Sequence, residues 1–444
     1  MIRKLFLFTV VLILTYNYSL AQKISGTVVD SSGASIPGVT VQIKGTTKGT
    51  VTDFEGKFVI EVADSNSIIV FSYVGFKVME VAVGNQTVLN VKLADNDEGL
   101  EEVVVTGYGL SKPTKKKNYA TVRVYFATDR NLTRSNLPNE MFGKDRSNVT
   151  YGVCNVSIPR DHKLGELEKA SIWKLQFRND PEKHVTLLKV KVQSKDDFFI
   201  KLKKRINDSS EKSAFIFVHG YNVSFEDASR RTAQMSYDIG FNGAPVFYSW
   251  PSQATLLGYN IDQGNIEWSQ RNLKAFLEDF LTTSDAQNIY LIAHSMGNRG
   301  LTRALASIIT ENPVMTSRIR EIILAAPDID ADVFKQDIAP VLIKGNKPIT
   351  LYTSSNDLAL AASKEFSNYP RAGQAGSAMI IIPGIETIDA SNVDSDFIGH
   401  SYFGDSSSIL ADIFNIIHNG QRPNERFGLR KVVREGQVFW AFTE

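Results

Sequence analysis

The sequence has little with which to cross-link itself, attract nucleic acid or cross a membrane. Its 444 residues include one cysteine, Cys154, so no internal disulfide can form. A buried apolar role is predicted for Cys154, with a reactive thiol as the alternative. Lys and Arg number 49 against 48 Asp and Glu, and a net charge of +1 gives no long-range pull towards nucleic acid or anionic lipid. After the first 21 residues no apolar run approaches the ~20 residues of a spanning helix. A soluble protein stabilised by its cores is therefore predicted.

The first 21 residues have the pattern of an export signal. Arg3 and Lys4 precede an apolar run at 5–14, and small residues, Ser19 and Ala21, occupy the two positions that a signal peptidase recognises. The alternative, an uncleaved anchor, is disfavoured because Asn17 interrupts the run well short of ~20 residues. The pattern predicts a signal peptide at residues 1–21 and an exported protein, periplasmic or outer-membrane-associated in a Gram-negative bacterium.

Residues 22–95 consist of short runs rich in valine, isoleucine and phenylalanine, separated by turn-forming residues such as Pro37-Gly38 and Gly84-Asn85. The runs predict strands at residues 24–29, 39–43, 58–62, 68–74, 78–83 and 88–93. Strands of this length and spacing are typical of a small all-β sandwich.

Four motifs in this segment resemble the carboxypeptidase-regulatory-like (prealbumin-like) domain that precedes bacterial outer-membrane transporters. They are ISGTV at 24–28, IPGV at 36–39, TDFEGKF at 52–58 and YVGF at 73–76. The resemblance implies a β-sandwich without catalytic residues. The next segment, LEEVVVTGYG at 100–109, resembles the sequence with which those transporters engage TonB. We interpret residues 96–118 as an extended linker. The alternative is that the sandwich or residues 100–109 contact an envelope protein.

From residue 119 to 444 strand patterns alternate with helix patterns. Strands are predicted at 122–126, 151–158, 171–177, 185–192, 214–218, 245–250, 288–293, 321–326 and 349–353, and helices at 225–241, 265–283, 297–309 and 407–418. Helix 225–241 follows Ser224-Phe225-Glu226-Asp227, which resembles a capping box. This alternation predicts an α/β domain with a mostly parallel sheet, whose ligands bind at the carboxyl ends of the strands.

The motif AHSMG at 293–297 places a serine between a buried strand and a helix. Small residues at 293 and 297 allow the sharp turn that exposes a nucleophilic hydroxyl in a G-x-S-x-G motif, and Ala293 replaces the first glycine. Ser295 is the predicted nucleophile. It needs a base and a carboxylate that orients the base.

His400 is the predicted base. In this fold the acid and the base follow the nucleophile in the chain, which excludes His162, His184 and His219. His294 is the residue directly before Ser295, within the turn itself. His418 ends a predicted helix, where a cation complements the helix dipole. His400 lies in an irregular, glycine-containing stretch.

Two aspartates past strand ends compete as the acid. Asp357 follows strand 349–353 and is ranked above Asp328, which follows strand 321–326, because the acid usually comes from the strand nearest before the histidine loop. For the oxyanion hole, Met296 supplies one backbone N–H, and Gly220 allows the loop after strand 214–218 to present the amide of Tyr221 or Asn222.

These residues resemble the α/β-hydrolase superfamily, and in particular a bacterial esterase/lipase-like family of unassigned function. The motifs are YFATDR at 125–130, FVHGYN at 217–222, SWPS at 249–252, AHSMG at 293–297, APD at 326–328 and GHSY at 399–402. The resemblance covers residues 119–444 and implies an α/β-hydrolase fold with a triad of Ser295, Asp357 and His400. The resemblance brings no substrate. From the triad we predict hydrolysis of an ester or related acyl bond in a small molecule or lipid, with esterase activity ranked first and lipase, thioesterase and peptidase activities left open. No cofactor, metal or nucleic acid is expected. The alternative is a noncatalytic scaffold with a hydrolase core.

Overall fold

The computed structural model describes residues 22–31, 33, 35–36, 39–46, 48–52, 55–73, 76–94, 118–170, 179–357, 360, 363–364, 368–393 and 406–443. Four predicted features lie outside these residues: the signal peptide, the TonB-engaging resemblance at 100–109, strand 171–177 and His400. The chain divides into two compact units, residues 1–96 and 97–444. None of the helices in the described ranges is long and apolar enough to cross a bilayer.

The first unit is built from two sheets in which most neighbouring strands are antiparallel. Its strands are β1 (Gln22–Val29), β2 (Thr40–Ile43), β3 (Gly49–Val51), β4 (Lys57–Val62), β5 (Ile68–Ser72), β6 (Met79–Ala82) and β7 (Val91–Lys92). One sheet has the order β4-β1-β7 and the other β3-β2-β5-β6. Side chains of β4 alternate between exposed and buried, and Phe58 packs edge-on against Phe71 in the core. The predicted all-β domain is confirmed. The short strand β3 was not predicted, because GTV carries too little pattern.

The second unit contains an eleven-stranded sheet. Its strands are β8 (Tyr119–Leu132), β9 (Phe142–Pro159), β10 (Thr186–Gln193), β11 (Ser213–Val218), β12 (Ala244–Ser249), β13 (Asn288–His294), β14 (Ile319–Ala325), β15 (Ile349–Thr353), β16 (Glu386–Asp389), β17 (Leu429–Arg434) and β18 (Gln437–Phe442). Their order is β10-β9-β8-β12-β11-β13-β14-β15-β16-β18-β17. All neighbours from β8 to β18 pair in parallel, and antiparallel pairing is confined to the two ends. The predicted mostly parallel sheet is confirmed.

Helices cover this sheet and bury apolar side chains against it. They are α1 (Lys195–Asp208), α2 (Phe225–Asp238), α3 (Tyr259–Thr283), α4 (Gly297–Glu311), α5 (Ala331–Val333), α6 (Ala339–Lys344) and α7 (Ser407–Asn419), with a π-helical segment, Phe334–Ile338, between α5 and α6. Short 3-10 helices span Pro138–Glu140, Leu256–Gly258, Pro313–Arg318 and Gly376–Ala378. The Ser224 hydroxyl accepts the Asp227 N–H at 3.0 Å, so the predicted cap of α2 is confirmed.

Some elements escaped the sequence patterns for identifiable reasons. Helix α1 is rich in charge, yet its Phe198, Phe199, Leu202 and Ile206 are buried. Helix α3 begins at Tyr259, six residues before the predicted start, because Gly264 weakens the helix pattern without ending the helix. The hairpin β17–β18 turns at Glu435 and Gly436, both with positive φ, and places β18 beside β16.

The parallel strands end together at one edge of the sheet. Pairing sets Val218 beside Ala293, His294 beside Ala325, Ala325 beside Tyr352 and Thr353 beside Asp389. The loops that follow these strands therefore meet, and every predicted site residue among the described ones belongs to them.

Candidate active site

Ser295 occupies a strained turn between β13 and α4. Its φ is 52°, in the left-handed region that side-chain-bearing residues rarely adopt. Two hydrogen bonds hold the turn: the Ser295 N–H donates to the Ala325 carbonyl at 3.0 Å, and the Asn298 side-chain amide donates to the Ser295 carbonyl at 3.0 Å. A serine in this conformation, after a parallel strand and before a helix, has the backbone of a nucleophile elbow.

Glycines allow this turn to pack directly on the loop after β11. A Cβ on Gly297 would lie 2.4 Å from the His219 carbonyl oxygen, and one on Gly220 would lie 2.8 Å from the Ser295 Cβ. Neither position has room for a larger residue. Ala293, which stands where the motif has its first glycine, is fully buried near the end of β13 beside Val218. The motifs at 217–222 and 293–297, 70 residues apart in the chain, are thus in contact.

The predicted oxyanion donors flank the serine. Met296 is fully buried, and across the described ranges no turn or strand hydrogen bond uses its N–H. Asn222 has a φ of 58°, and its N–H is 3.5 Å from the Asp262 Oδ2. Asp262 also accepts hydrogen bonds from the Ser252 hydroxyl at 2.6 Å and from the Gln253 N–H at 2.7 Å, so it ties the loop after β11 to the loop after β12. The amino end of α4 adds its positive dipole at the same place.

Three histidines have structural partners away from Ser295. His162 lies between Glu168 and Asp238; burial lowers the pKa of His162, but these carboxylates outweigh burial and raise it to about 9. The His184 Nδ1 accepts the Asp180 N–H at 2.8 Å. His418 contacts Glu211 and the Ile239 carbonyl. Because Glu211 precedes β11, His418 lies at the amino edge of the sheet, opposite the serine.

His219 is buried at the site but holds a structural position. Its Nδ1 is 2.8 Å from the Gly220 carbonyl oxygen, its Nε2 is 3.1 Å from the Ser249 hydroxyl, and its ring stacks on Trp250. Burial, followed by the charge of Arg130, lowers the pKa of His219 to about 3. The ring is therefore neutral at physiological pH and serves as a hydrogen-bonding group.

The two candidate acids have different surroundings. Asp357, 2% exposed, lies just past β15, where its Oδ1 accepts the Leu360 N–H at 2.9 Å. Asp328, equally buried, has both oxygens occupied: Ser363 and Arg371 bind Oδ1 at 2.6 and 3.3 Å, and Tyr259 and Arg299 bind Oδ2 at 2.8 and 3.1 Å. Burial raises the pKa of Asp328, but these donors, led by Arg299, hold it below its ordinary value.

The cluster around Asp328 was not predicted from the sequence. Asp328 donates its own N–H to the Ser295 carbonyl at 3.3 Å, so the cluster supports the elbow from behind. Arg299 lies one helical turn after Ser295, and that spacing is the one local signal for it. Arg371 and Ser363 reach the cluster from segments that are distant in the sequence, which no local pattern reveals.

Three exposed apolar side chains lie beside the oxyanion loop. Leu256, Leu257 and Ile261, here called the apolar rim, are 76%, 98% and 56% exposed. The Tyr221 hydroxyl donates to the Leu256 carbonyl, and the Tyr221 ring packs edge-on against that of Tyr259. The rim thus adjoins the loop that follows Gly220. Among the residues that the structure describes, more than half of the surface of each of these side chains is left uncovered.

Curated relatives match about a fifth to a quarter of this chain. TonB-dependent receptor P3 of Formosa agariphila is 46% identical over 109 residues, which are 24% of this chain and 11% of the receptor. TonB-dependent receptor SusC of Bacteroides thetaiotaomicron is 45% identical over 89 residues, 20% of this chain and 9% of the receptor. The chain spans about a tenth of the length of the curated relatives it matches.

Solved structures give remote likenesses. One is a Pyrobaculum calidifontis esterase, at 12% identity and a TM-score of 0.25; the match covers 47% of this chain and 77% of the esterase chain. Another is a prolyl endopeptidase, at 10% identity and a TM-score of 0.27; the match covers 86% of this chain and 53% of the endopeptidase chain. Likenesses this remote carry no conclusion about activity.

Family models match both units. A model for a CarboxypepD_reg-like domain matches residues 24–105, which confirms the resemblance of the β-sandwich. A model described as an alpha/beta hydrolase of unknown function (DUF900) matches residues 194–419, just over half of the chain. The strand order, the elbow and this match agree, and the chain belongs to the DUF900 family of alpha/beta hydrolases.

Proposed function

We propose that this protein is an exported serine hydrolase that cleaves a carboxylic ester through an acyl-enzyme on Ser295. The left-handed backbone at Ser295 is the observation that carries the proposal, because this conformation is costly and is used where a hydroxyl must be presented to a substrate. The contact between the elbow and Gly220 adds a place where an oxyanion would meet backbone donors.

In the proposed reaction His400 is the base and Asp357 the residue that orients it. His400 takes the hydroxyl proton as the Ser295 Oγ attacks the ester carbonyl carbon, and the oxyanion is stabilised by backbone N–H groups of Met296 and the loop after Gly220. The bond to the alcohol then breaks as His400 returns the proton to the leaving oxygen. Water, activated in the same way, releases the acid and restores Ser295. The position of Asp357 after β15, beyond β14 from the nucleophile strand, supports its role.

We place the protein in the Gram-negative cell envelope. A stretch of 109 residues is 46% identical to a segment of a TonB-dependent receptor. The CarboxypepD_reg-like domain at residues 24–105 precedes the hydrolase domain in this chain. Export by the segment at residues 1–21 and a contact of the sandwich or residues 100–109 with an envelope protein are parts of this proposal.

Covalent labelling tests the nucleophile. After incubation of the full-length protein with a fluorophosphonate probe, we expect mass spectrometry to find one adduct, on the peptide that contains Ser295, because an activated serine attacks phosphorus as it attacks an ester carbonyl. Heat-denatured protein is the control and should stay unlabelled. Folded protein that fails to label would contradict the proposal and favour a noncatalytic scaffold. Labelling on another serine would contradict the assignment of Ser295 as the nucleophile.

The apolar rim favours an ester with an apolar chain. We expect kcat/KM for p-nitrophenyl esters to rise from acetate to decanoate, and Leu257→Asn to lower it about tenfold for decanoate while leaving acetate unchanged, since covering one leucine contributes about 1.5–3 kcal/mol. Val314→Asn is the matched control, because Val314 is 77% exposed and lies beyond the far end of α4. Equal losses for acetate and decanoate would contradict a chain-binding role.

A further inference from the structure

Arg130 is a buried arginine at the end of β8 that binds the loop carrying Gly220. It is 1% exposed, and its Nη2 donates to the Val223 carbonyl at 2.8 Å. Nη1 donates to the carbonyls of Gly143 and Ser252 at 3.1 and 2.9 Å, and Nε donates to the Ser249 hydroxyl at 2.9 Å. Burial lowers the pKa of Arg130 to about 10, so the side chain is a cation at neutral pH. One fixed guanidinium thus connects β9, β12 and the loops after β11 and β12.

The hydrogen bond from Arg130 determines which hydrogen bonds the Ser249 hydroxyl can still make. Its Oγ accepts the Arg130 Nε–H, and the His219 Nε2 lies 3.1 Å away. Because a guanidinium can only donate, the hydroxyl proton is available to the imidazole nitrogen. At the other side of the ring, the Gly220 carbonyl, 2.8 Å from Nδ1, can only accept, so Nδ1 carries the proton and Nε2 accepts from Ser249. Arg130, Ser249 and the Gly220 carbonyl together therefore favour one tautomer of His219.

The Gly220 carbonyl in turn fixes the N–H of Tyr221. The two groups belong to one planar trans peptide and point in opposite directions, so a carbonyl held towards the His219 ring turns the Tyr221 N–H away from it. Across the described residues no backbone hydrogen bond uses that N–H, whereas the N–H of Asn222 is directed at Asp262. Of the two donors that the sequence left open, Tyr221 is the one whose N–H is held in orientation without being directed at the Asp262 carboxylate.

We propose that Arg130, Ser249 and His219 are positioning residues that hold the Gly220–Tyr221 peptide as an oxyanion donor by fixing the His219 tautomer. The inference rests on the proposed function of Ser295. It assigns to a buried arginine, 165 residues before the nucleophile, an effect on the transition state rather than on substrate binding.

Nuclear magnetic resonance tests the tautomer without any assay of activity. In the full-length protein labelled with ¹⁵N-histidine, couplings between ring nitrogens and carbon-bound protons distinguish Nδ1–H from Nε2–H. We expect His219 to be an Nδ1–H imidazole in the native protein and to lose that single state in Ser249→Ala. Ser249→Thr, which keeps a hydroxyl, should restore it. An Nε2–H ring in the native protein, or a ring unchanged by Ser249→Ala, would overturn the proposal.

Kinetics test the consequence. With rates normalised to the serine that a fluorophosphonate titrates, Ser249→Ala should lower kcat about 10- to 100-fold with KM within twofold, because a misdirected donor weakens transition-state binding alone. Affinity for a trifluoromethyl ketone, which forms an oxyanion on the serine, should fall in parallel. Ser213→Ala, an equally buried serine at the opposite end of neighbouring β11, should leave kcat unchanged.

A double-mutant cycle separates positioning from a merely structural effect. Asparagine at residue 219 has an amide donor and no tautomers, so in a His219→Asn background Ser249→Ala should cost no further kcat. Equal losses in both backgrounds, or a change in KM without one in kcat, would overturn the proposal. A native protein with the Nδ1–H tautomer that neither hydrolyses esters nor labels would instead overturn the proposed function of Ser295.

Discussion

Replacing Ser295 with alanine is expected to lower kcat for p-nitrophenyl esters about 10⁵- to 10⁶-fold. The reaction would lose its acyl-enzyme route, and the remaining rate would come from the oxyanion donors acting on a water molecule. KM should change little, because the hydroxyl contributes to the covalent step rather than to binding. Initial rates and active-site titration on the same preparation give both quantities.

Ser307→Ala is the matched control for this variant. Ser307 lies later on α4 and donates to the Arg303 carbonyl, so its loss removes one hydroxyl from the same helix without touching the elbow. Its kcat should equal that of the native protein. If Ser295→Ala retained more than about a hundredth of the native kcat, Ser295 would not be the nucleophile.

Replacing Asp357 with asparagine should impair catalysis, whereas replacing Asp328 with asparagine should impair stability. Asp357→Asn is expected to lower kcat about 10⁴-fold with the protein still folded, because an amide cannot hold the histidine in its basic tautomer or stabilise its cation. Asp328→Asn should instead lower the free energy of unfolding by about 3–5 kcal/mol, since it leaves Arg299 and Arg371 buried without their counter-ion.

Urea titration and kcat per titrated serine, measured on both variants, separate the two roles. We expect the folded fraction of Asp328→Asn to keep kcat within about tenfold of the native value. A 10⁴-fold loss in Asp328→Asn together with an active Asp357→Asn would reverse the assignment and make Asp328 the acid.

Local patterns sufficed for the features that are local. Short apolar runs between turn residues predicted the β-sandwich. A strand, then Ser295 between small residues, then a helix predicted the elbow. The parallel sheet follows from the alternation of strands and helices. These elements needed no knowledge of which segments meet in space.

The choice between the acids, by contrast, depends on long-range contacts. Asp328 and Asp357 both follow a strand, so the sequence could only rank them. The four donors around Asp328 come from α3, from α4 and from residues 363 and 371, and α3 and α4 are far in the chain from the other two. The network of Arg130 was missed for the same reason, because its partners in β12 and in the loops after β11 and β12 are far from residue 130 in the chain. His400 lies outside the described residues and stays a prediction.

The conformation of Ser295 also bears on how this protein would respond to selection for heat resistance. Glycine adopts a φ of 52° freely, whereas a residue with a side chain is disfavoured there by about 1–2 kcal/mol. Stability alone would therefore favour glycine at residue 295. A library enriched only for survival at high temperature should accumulate inert proteins, so activity has to be selected alongside stability if the nucleophile is to persist.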